Sequence, residues 1–342
     1  MRIKPLALAT ACAFASGLAS TASQAALPQM ETTVYGIVGL DVVNASNVYD
    51  SVSGKSFAKS YVDNSAQSSS RLGFKGSHDI NADLKVTFGI EAGLRADTGE
   101  TTASRLFNRG TYLGLSGKFG SFTAGRQWNL NDDNVCAYIV CGGYAMFRFS
   151  EFGDVSNLFD NSLKYYTPKF AGFQMGVMYG AGEASSSTDG SSMGEVIATY
   201  AGPVNAMLSY HASKDSAGNK TDRLTTAGVN VTLGPIRPRF AYAVAHYPSI
   251  PSNAAAYDIG VDYTVTTPFV LSLDYVSRDK KKSPDDTKYL RLRAVYALDS
   301  AFSVNANLIY LKNKGAATQV FYGDGKAGQS QRVVGVGMVY TF

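Results

Sequence analysis

Strict alternation of apolar and polar residues constrains this chain more than any other feature. From Leu84 to Arg95, Leu84, Val86, Phe88, Ile90, Ala92 and Leu94 share one parity, while Lys85, Thr87, Gly89, Glu91, Gly93 and Arg95 hold the other. A period of two places alternate side chains on opposite faces of an extended chain, so this is a β-strand with one apolar and one polar face. The grammar recurs. Val204, Ala206, Leu208 and Tyr210 alternate with Asn205, Ser209 and His211. Tyr257 to Val265 and Phe302 to Tyr310 read the same way, with aromatics at the ends of the apolar rows.

Two surroundings accept such strands. In a water-soluble sheet the apolar face covers a core; in a transmembrane barrel it meets lipid and the polar face lines a lumen. The links between strands decide. Sixteen segments carry the pattern, at about 32–43, 68–76, 84–95, 106–117, 120–127, 162–169, 172–180, 194–201, 203–213, 223–233, 236–246, 256–266, 269–278, 288–298, 302–312 and 332–342. Short links such as Lys118-Phe119, Ala171, Gly202 and Thr267-Pro268 alternate with long polar ones at 44–67, 128–161, 181–193 and 313–331. One short side and one long side is the arrangement of an outer-membrane barrel, with periplasmic turns and extracellular loops; a β-sandwich does not sort its loops so. The expectation is an all-β, sixteen-stranded antiparallel transmembrane β-barrel with both termini on the short-turn side. No linker breaks the rhythm, so residues 26–342 read as one domain, and the Ser-rich stretch 184–192 as a loop.

The compartment follows from the first residues. Arg2 and Lys4 precede an uncharged apolar run from Leu6 to Leu18, and Ser23-Gln24-Ala25 supplies a small-x-small site. Residues 1–25 read as a signal peptide removed after Ala25; the run is shorter than the ~20 residues that span a bilayer. The remainder holds 29 basic against 27 acidic residues, a net +2, which excludes the large clustered basic footprint of a nucleic-acid partner. Aromatics are many, 21 Tyr and 18 Phe with 34 Gly, yet mean hydropathy is −0.06, as half-apolar strands and tight turns require.

Cys12 leaves with the leader, so only Cys136 and Cys141 remain. Five residues apart in an oxidising compartment, they are expected to form a disulfide. No further Cys or His lies near them, so neither a metal nor another cofactor is expected. His78, His211 and His246 fall in a turn, on a lumen face and at a strand end, and no G-x-S-x-G elbow occurs. An enzyme is therefore not expected.

Strand parity nominates charges for the lumen. Leu72 and Phe74 face lipid, which turns Arg71 and Lys75 inward; Leu163 and Tyr165 turn Lys164 inward; Leu290 and Leu292 turn Arg291 and Arg293 inward. A lipid-facing Arg or Lys at the bilayer midplane costs about 2–4 kcal/mol, which gives the rule its force. Arg109 and Arg126 break it relative to Leu113, Leu115, Phe122 and Ala124, so each needs a place beyond the membrane band or a bulge. Lys280-Lys281-Lys282, beside Asp279, Asp285 and Asp286, reads as a solvated loop tip, with lipopolysaccharide contact as the alternative.

Several segments resemble the general porins of β-proteobacteria, the group of the Neisseria, Bordetella, Burkholderia and Comamonas porins. They are Ser69 to Ser77 (SSRLGFKGS), Arg109 to Gly120 (RGTYLGLSGKFG), Gly125-Arg126-Gln127, and Asn161 to Pro168 followed by Phe170-Ala171-Gly172-Phe173. The final Tyr340-Thr341-Phe342 is similar to the terminal aromatic that such porins present to the barrel-assembly machinery. The resemblance implies an outer-membrane homotrimer, each barrel a water-filled channel for passive diffusion of ions and small hydrophilic solutes. It also implies a third loop, here 128–161, folded into the pore, and a basic ladder of Arg71, Arg109 and Lys164 at the constriction. The Cys136–Cys141 pair departs from the family pattern. Pores select by width and lining charge. Asp132, Asp133, Glu151 and Asp154, with Arg148, are the loop charges able to face the ladder, and a mild anion preference is expected. A substrate-specific channel of the same fold, for small organic anions, is the close alternative; a plugged adhesin barrel is the distant one.

Overall fold

The structure is a computed structural model and describes residues 31–141, 158–182, 190–248 and 253–342. The leader, Arg148, Glu151 and Asp154 lie outside the described residues. Seventeen strand segments form one sheet: β1 (Glu31–Asp50), β2 (Lys55–Asn64), β3 (Arg71–Asn81), β4 (Leu84–Gly93), β5 (Gly110–Gly117), β6 (Gly120–Trp128), β7 (Leu158–Tyr166), β8 (Phe173–Gly180), β9 (Met193–Tyr200), β10 (Val204–Lys214), β11 (Thr221–Val231), β12 (Ile236–His246), β13 (Ala254–Thr266), β14 (Phe269–Lys280), β15 (Thr287–Ala297), β16 (Phe302–Asn313) and β17 (Gln331–Thr341). Apart from β2 and β3, which both pair with β1, each pairs antiparallel with its neighbours in sequence, and β1 closes the ring on β17 from Ile37↔Thr341 to Ala45↔Val333. Among the described residues one helix, α1 (Leu130–Val135), stands inside, against β8, β9 and β10.

Seventeen segments make sixteen staves. β3 pairs with the first part of β1 (Glu31↔Ser77 to Ile37↔Arg71), and β2 pairs with the second (Leu40↔Asn64 to Asp50↔Lys55), so β2 and β3 are one broken stave. This corrects the reading of 44–67 as a long loop: β1 runs on to Asp50 and returns as β2. The reason is a bulge between Ala45 and Val48, with Asn47 at φ 56°. Across it Ala45 and Val48 are both buried although three residues apart, so the alternation that marks a strand is lost there.

The break between β2 and β3 crosses the lumenal face of β1. Ser65 N–H donates to the Gly39 carbonyl and Ala66 N–H to Asp41 Oδ2, while Gln67 reaches Ser303 on β16. Gly39 is required here, because a Cβ would stand 2.8 Å from that of Ser65. This inward segment delivers Arg71 to the head of β3. A second correction concerns the segment expected at 106–117, which enters the sheet only at Gly110. The Asn108 side-chain oxygen accepts the Gly93 N–H and so replaces the ladder below that point. His78, expected in a turn, lies within β3.

Outward positions carry the apolar rows: Val34, Leu113, Leu163, Val196, Leu208, Ile259, Leu290, Leu292 and Leu308 are all exposed. Outward aromatic pairs such as Phe173–Tyr200, Phe269–Tyr296 and Tyr340–Phe342 gather at the short-turn end, the girdle of a membrane barrel. The described helix is too short to cross a bilayer, and the strands do so instead. Leu292→Arg, in the middle of β15, is expected to lower stability by about 2–4 kcal/mol. Denaturant unfolding in lipid vesicles reads this directly, and an unchanged midpoint would place Leu292 off the lipid face.

Candidate permeation site

Segment 129–141 leaves β6 and lies along the inner wall. The Asn129 side chain caps α1 by accepting the Asp132 N–H at 2.7 Å. Glu195 of β9 accepts the N–H groups of Leu130 and Asn131 at 3.0 and 2.8 Å, and Ser209 of β10 donates to Asn131 at 3.0 Å. Beyond the helix the loop offers carbonyls to one amide and a row of cations. Asn230 and Arg237 donate to Ala137 at 2.9 and 3.1 Å, Arg239 to Ile139, Arg291 to Val140 and Arg293 to Cys141. The sulfurs of Cys136 and Cys141 are joined, closing the short stretch that carries these carbonyls. The loop is thus fastened to β9–β15, and the remaining space lies on its other side.

That space is a cavity of about 520 Å³ between the loop and the wall formed by β1 and β3–β7. Among the described residues its charged lining consists of Arg71, Arg109 and Lys164 with Glu91 and Asp133. Lys164 Nζ is 2.7 Å from Asp133 Oδ2, an ion pair across the gap between wall and loop. Arg109 Nε lies 2.6 Å from Glu91 Oε1, and its guanidinium is 5.0 Å from the centre of the Trp128 ring. Arg71 donates to the Ser69 carbonyl at 3.1 Å and the Ser68 hydroxyl at 2.8 Å. Opposed charges held across a narrow passage set up a transverse field that orients dipolar solutes.

The nominated residues divide into groups. Arg71, Arg109 and Lys164 meet at the cavity; Arg109 breaks parity because it precedes β5 and its N–H bonds the Glu91 carbonyl instead. Lys75 sits beside them on β3, its ammonium 4.9 Å over the Tyr35 ring. Arg126 keeps the parity of its register partner Thr111, pairs with Asp160 at 2.7 Å opposite a bulge in β7, and does not line the cavity. Arg291 and Arg293 point inward, but onto the loop's carbonyls on the far wall. Asp133 reaches the gap from the loop, whereas Asp132 is buried in the first turn of α1. Phe342 closes the last rung with Gly36 at 2.9 and 3.1 Å, and its ring covers that glycine. Lys280 and Lys281 pair with Asp285 and Asp279 where β14 ends and the following loop begins. Sequence reasoning missed Tyr35, Tyr112, Trp128 and Tyr166 in the lining. Their inward parity was available, but an aromatic at such a position looks the same whether it stacks on the wall or stands in the passage.

The profile of the Gram-negative porin family matches residues 7–316. The chain belongs to that family. Outer membrane porin protein 32 of Delftia acidovorans is 28% identical to it, covering 94% of this chain and 97% of the relative. An outer membrane porin of Bordetella pertussis is 28% identical over 48% of this chain and 46% of its own length. Among solved structures, the anion-selective porin from Comamonas acidovorans superimposes with a TM-score of 0.79 at 25% identity, covering 92% of this chain and all of that one. OmpT of Vibrio cholerae in a trimer form has the same fold, with a TM-score of 0.68 at 19% identity. This porin is therefore an outer-membrane protein whose barrel is a passive channel, and its relatives are channels rather than enzymes.

Proposed function

We propose that this porin conducts small hydrophilic solutes with a mild preference for anions, and that Arg71, Arg109 and Lys164 carry the preference, with Lys75 on the approach. One observation supports the reading: among the described residues three cations and two carboxylates surround the cavity, leaving a single net positive charge. Two of the cations lie in ion pairs, so the bias is small, and the passage stays polar enough for neutral solutes. Glu151 and Asp154, farther along the same loop, would weaken it if they reach the gap; Arg291, Arg293 and Arg126 act outside it.

The assembly is proposed to be a homotrimer in outer-membrane lipid and lipopolysaccharide. Phe342, paired through its backbone and exposed at the ring, is available to the barrel-assembly machinery before the last strand closes. Residues 1–25 are its leader. No catalysis is proposed: among the described residues His211 is the one buried histidine, and it lies 3.8 Å from Glu195 on the loop-bearing wall without a nucleophile in that pair. The test is the zero-current potential of purified protein in a planar bilayer under a potassium chloride gradient. A potential on the chloride side is expected. A potential on the potassium side would sink the basic constriction while leaving the channel, and folded protein without steady conductance would favour a plugged barrel.

A further inference from the structure

The cavity offers more than charge. Three lumen-facing glycines, Gly73, Gly89 and Gly176, lie under tyrosine rings from the neighbouring strands. A Cβ at Gly73 would collide with Tyr35, at Gly89 would stand 2.6 Å from Tyr112, and at Gly176 would stand 2.8 Å from Tyr166. These rings therefore lie flat on the backbone of the wall instead of standing into the passage, an aromatic cover over glycine that strands use to fill a missing side chain. One face of each ring is occupied by the wall, and all three rings are only half-buried and line the cavity. The Tyr35 ring already shows what its free face attracts, since Lys75 sits 4.9 Å above it.

Flat π-faces and cations thus share one space of about 520 Å³, within the ~300–1,000 Å³ range of small-molecule sites. An aliphatic anion can use only the charge there. A neutral arene can use only the rings, and a planar aromatic ring bearing a carboxylate uses both at once. We propose that the constriction is a weak binding site for planar aromatic carboxylates, with Tyr112 and Tyr166 as stacking platforms and Arg71, Arg109 and Lys164 meeting the carboxylate. This rests on the anion-preferring reading above and narrows it to a solute class. Binding is weak because each cation keeps its present partners, which suits passage rather than retention.

The experiment titrates the chloride conductance of the purified porin in planar bilayers with benzoate and, separately, with cyclohexanecarboxylate at neutral pH. The two carry the same charge and similar bulk, but only the first is flat with a π-face. Benzoate is expected to halve the current at about fivefold lower concentration, within the range one aromatic pair supplies. Tyr112→Leu is expected to remove most of that difference. Equal block by the two acids overturns the proposal, as does a benzoate advantage that persists in both Tyr112→Leu and Tyr166→Leu. If neither variant folds, the wild-type comparison decides alone. Failure of the underlying anion preference is read separately, from the salt gradient with no organic acid present.

Discussion

Replacing Arg291 by Met is expected to cost this barrel about 3–5 kcal/mol, the penalty for leaving one partner of a buried ion pair uncompensated. Arg291 is 1% exposed and Asp274 is fully buried. Its Nε and Nη2 lie 2.8 and 3.1 Å from the two carboxylate oxygens of Asp274, and Nη2 also donates to the Val140 carbonyl. Methionine fills much of the volume and supplies none of these donors. Asp258, buried with no hydrogen-bond partner among the described residues, stands close to Asp274. The single Trp128 of the chain stacks on Arg109 at the cavity and reports on loop position as well as unfolding.

Two readouts therefore apply. Denaturant unfolding followed at Trp128 should shift to lower midpoint, and open-channel current should become noisier as the Val140 carbonyl loses its anchor. The double change Arg291→Met with Asp274→Leu should recover most of the stability, because removing both partners of a buried pair is often nearly neutral. Current noise should persist in the double variant, since the loop carbonyl stays unanchored. A single variant indistinguishable from wild type would mean that Glu195, Arg239 and the Cys136–Cys141 link hold the loop without it.

Arg291 also shows what the sequence can and cannot disclose. Its parity between Leu290 and Leu292 reads correctly as inward, because the lipid face enforces alternation at every rung. Nothing in the local pattern discloses that a carbonyl from a loop about 150 residues earlier would lie over it. The same holds for the missed half-stave. Leu84 to Gly93 is legible because it crosses lipid, whereas the Asn44 to Asn64 hairpin has polar residues on its outer side and a bulge that resets its parity. Arg109 is legible as an exception, since Leu113 and Leu115 put it on the wrong face, but the remedy, a departure from the ladder held by Asn108, belongs to tertiary structure. Periodicity thus locates the wall, and the loop decides which inward charges reach the passage and which become its fastenings.

That division makes a sharp expectation for Arg71→Glu. The cavity lining would pass from one net positive charge to one net negative, while Arg109–Glu91 and Lys164–Asp133 remain paired. A two-unit change acting about 8 Å from a passing ion amounts to ~1 kcal/mol in bulk water and roughly twice that where the walls lower the effective dielectric. The chloride-to-potassium permeability ratio should then fall about 5–30-fold, enough to reverse a mild preference. The change should shrink in ~1 M salt, where the screening length drops to about 3 Å. Arg126→Gln also removes a positive charge, but from a group held by Asp160 outside the cavity, and should move the ratio less than about twofold. Equal shifts from the two variants would mean that the barrel's overall charge, and not the constriction, governs selection. A shift confined to Arg71→Glu assigns the selection to the narrow passage, because only there does an ion come within a screening length of the substituted side chain.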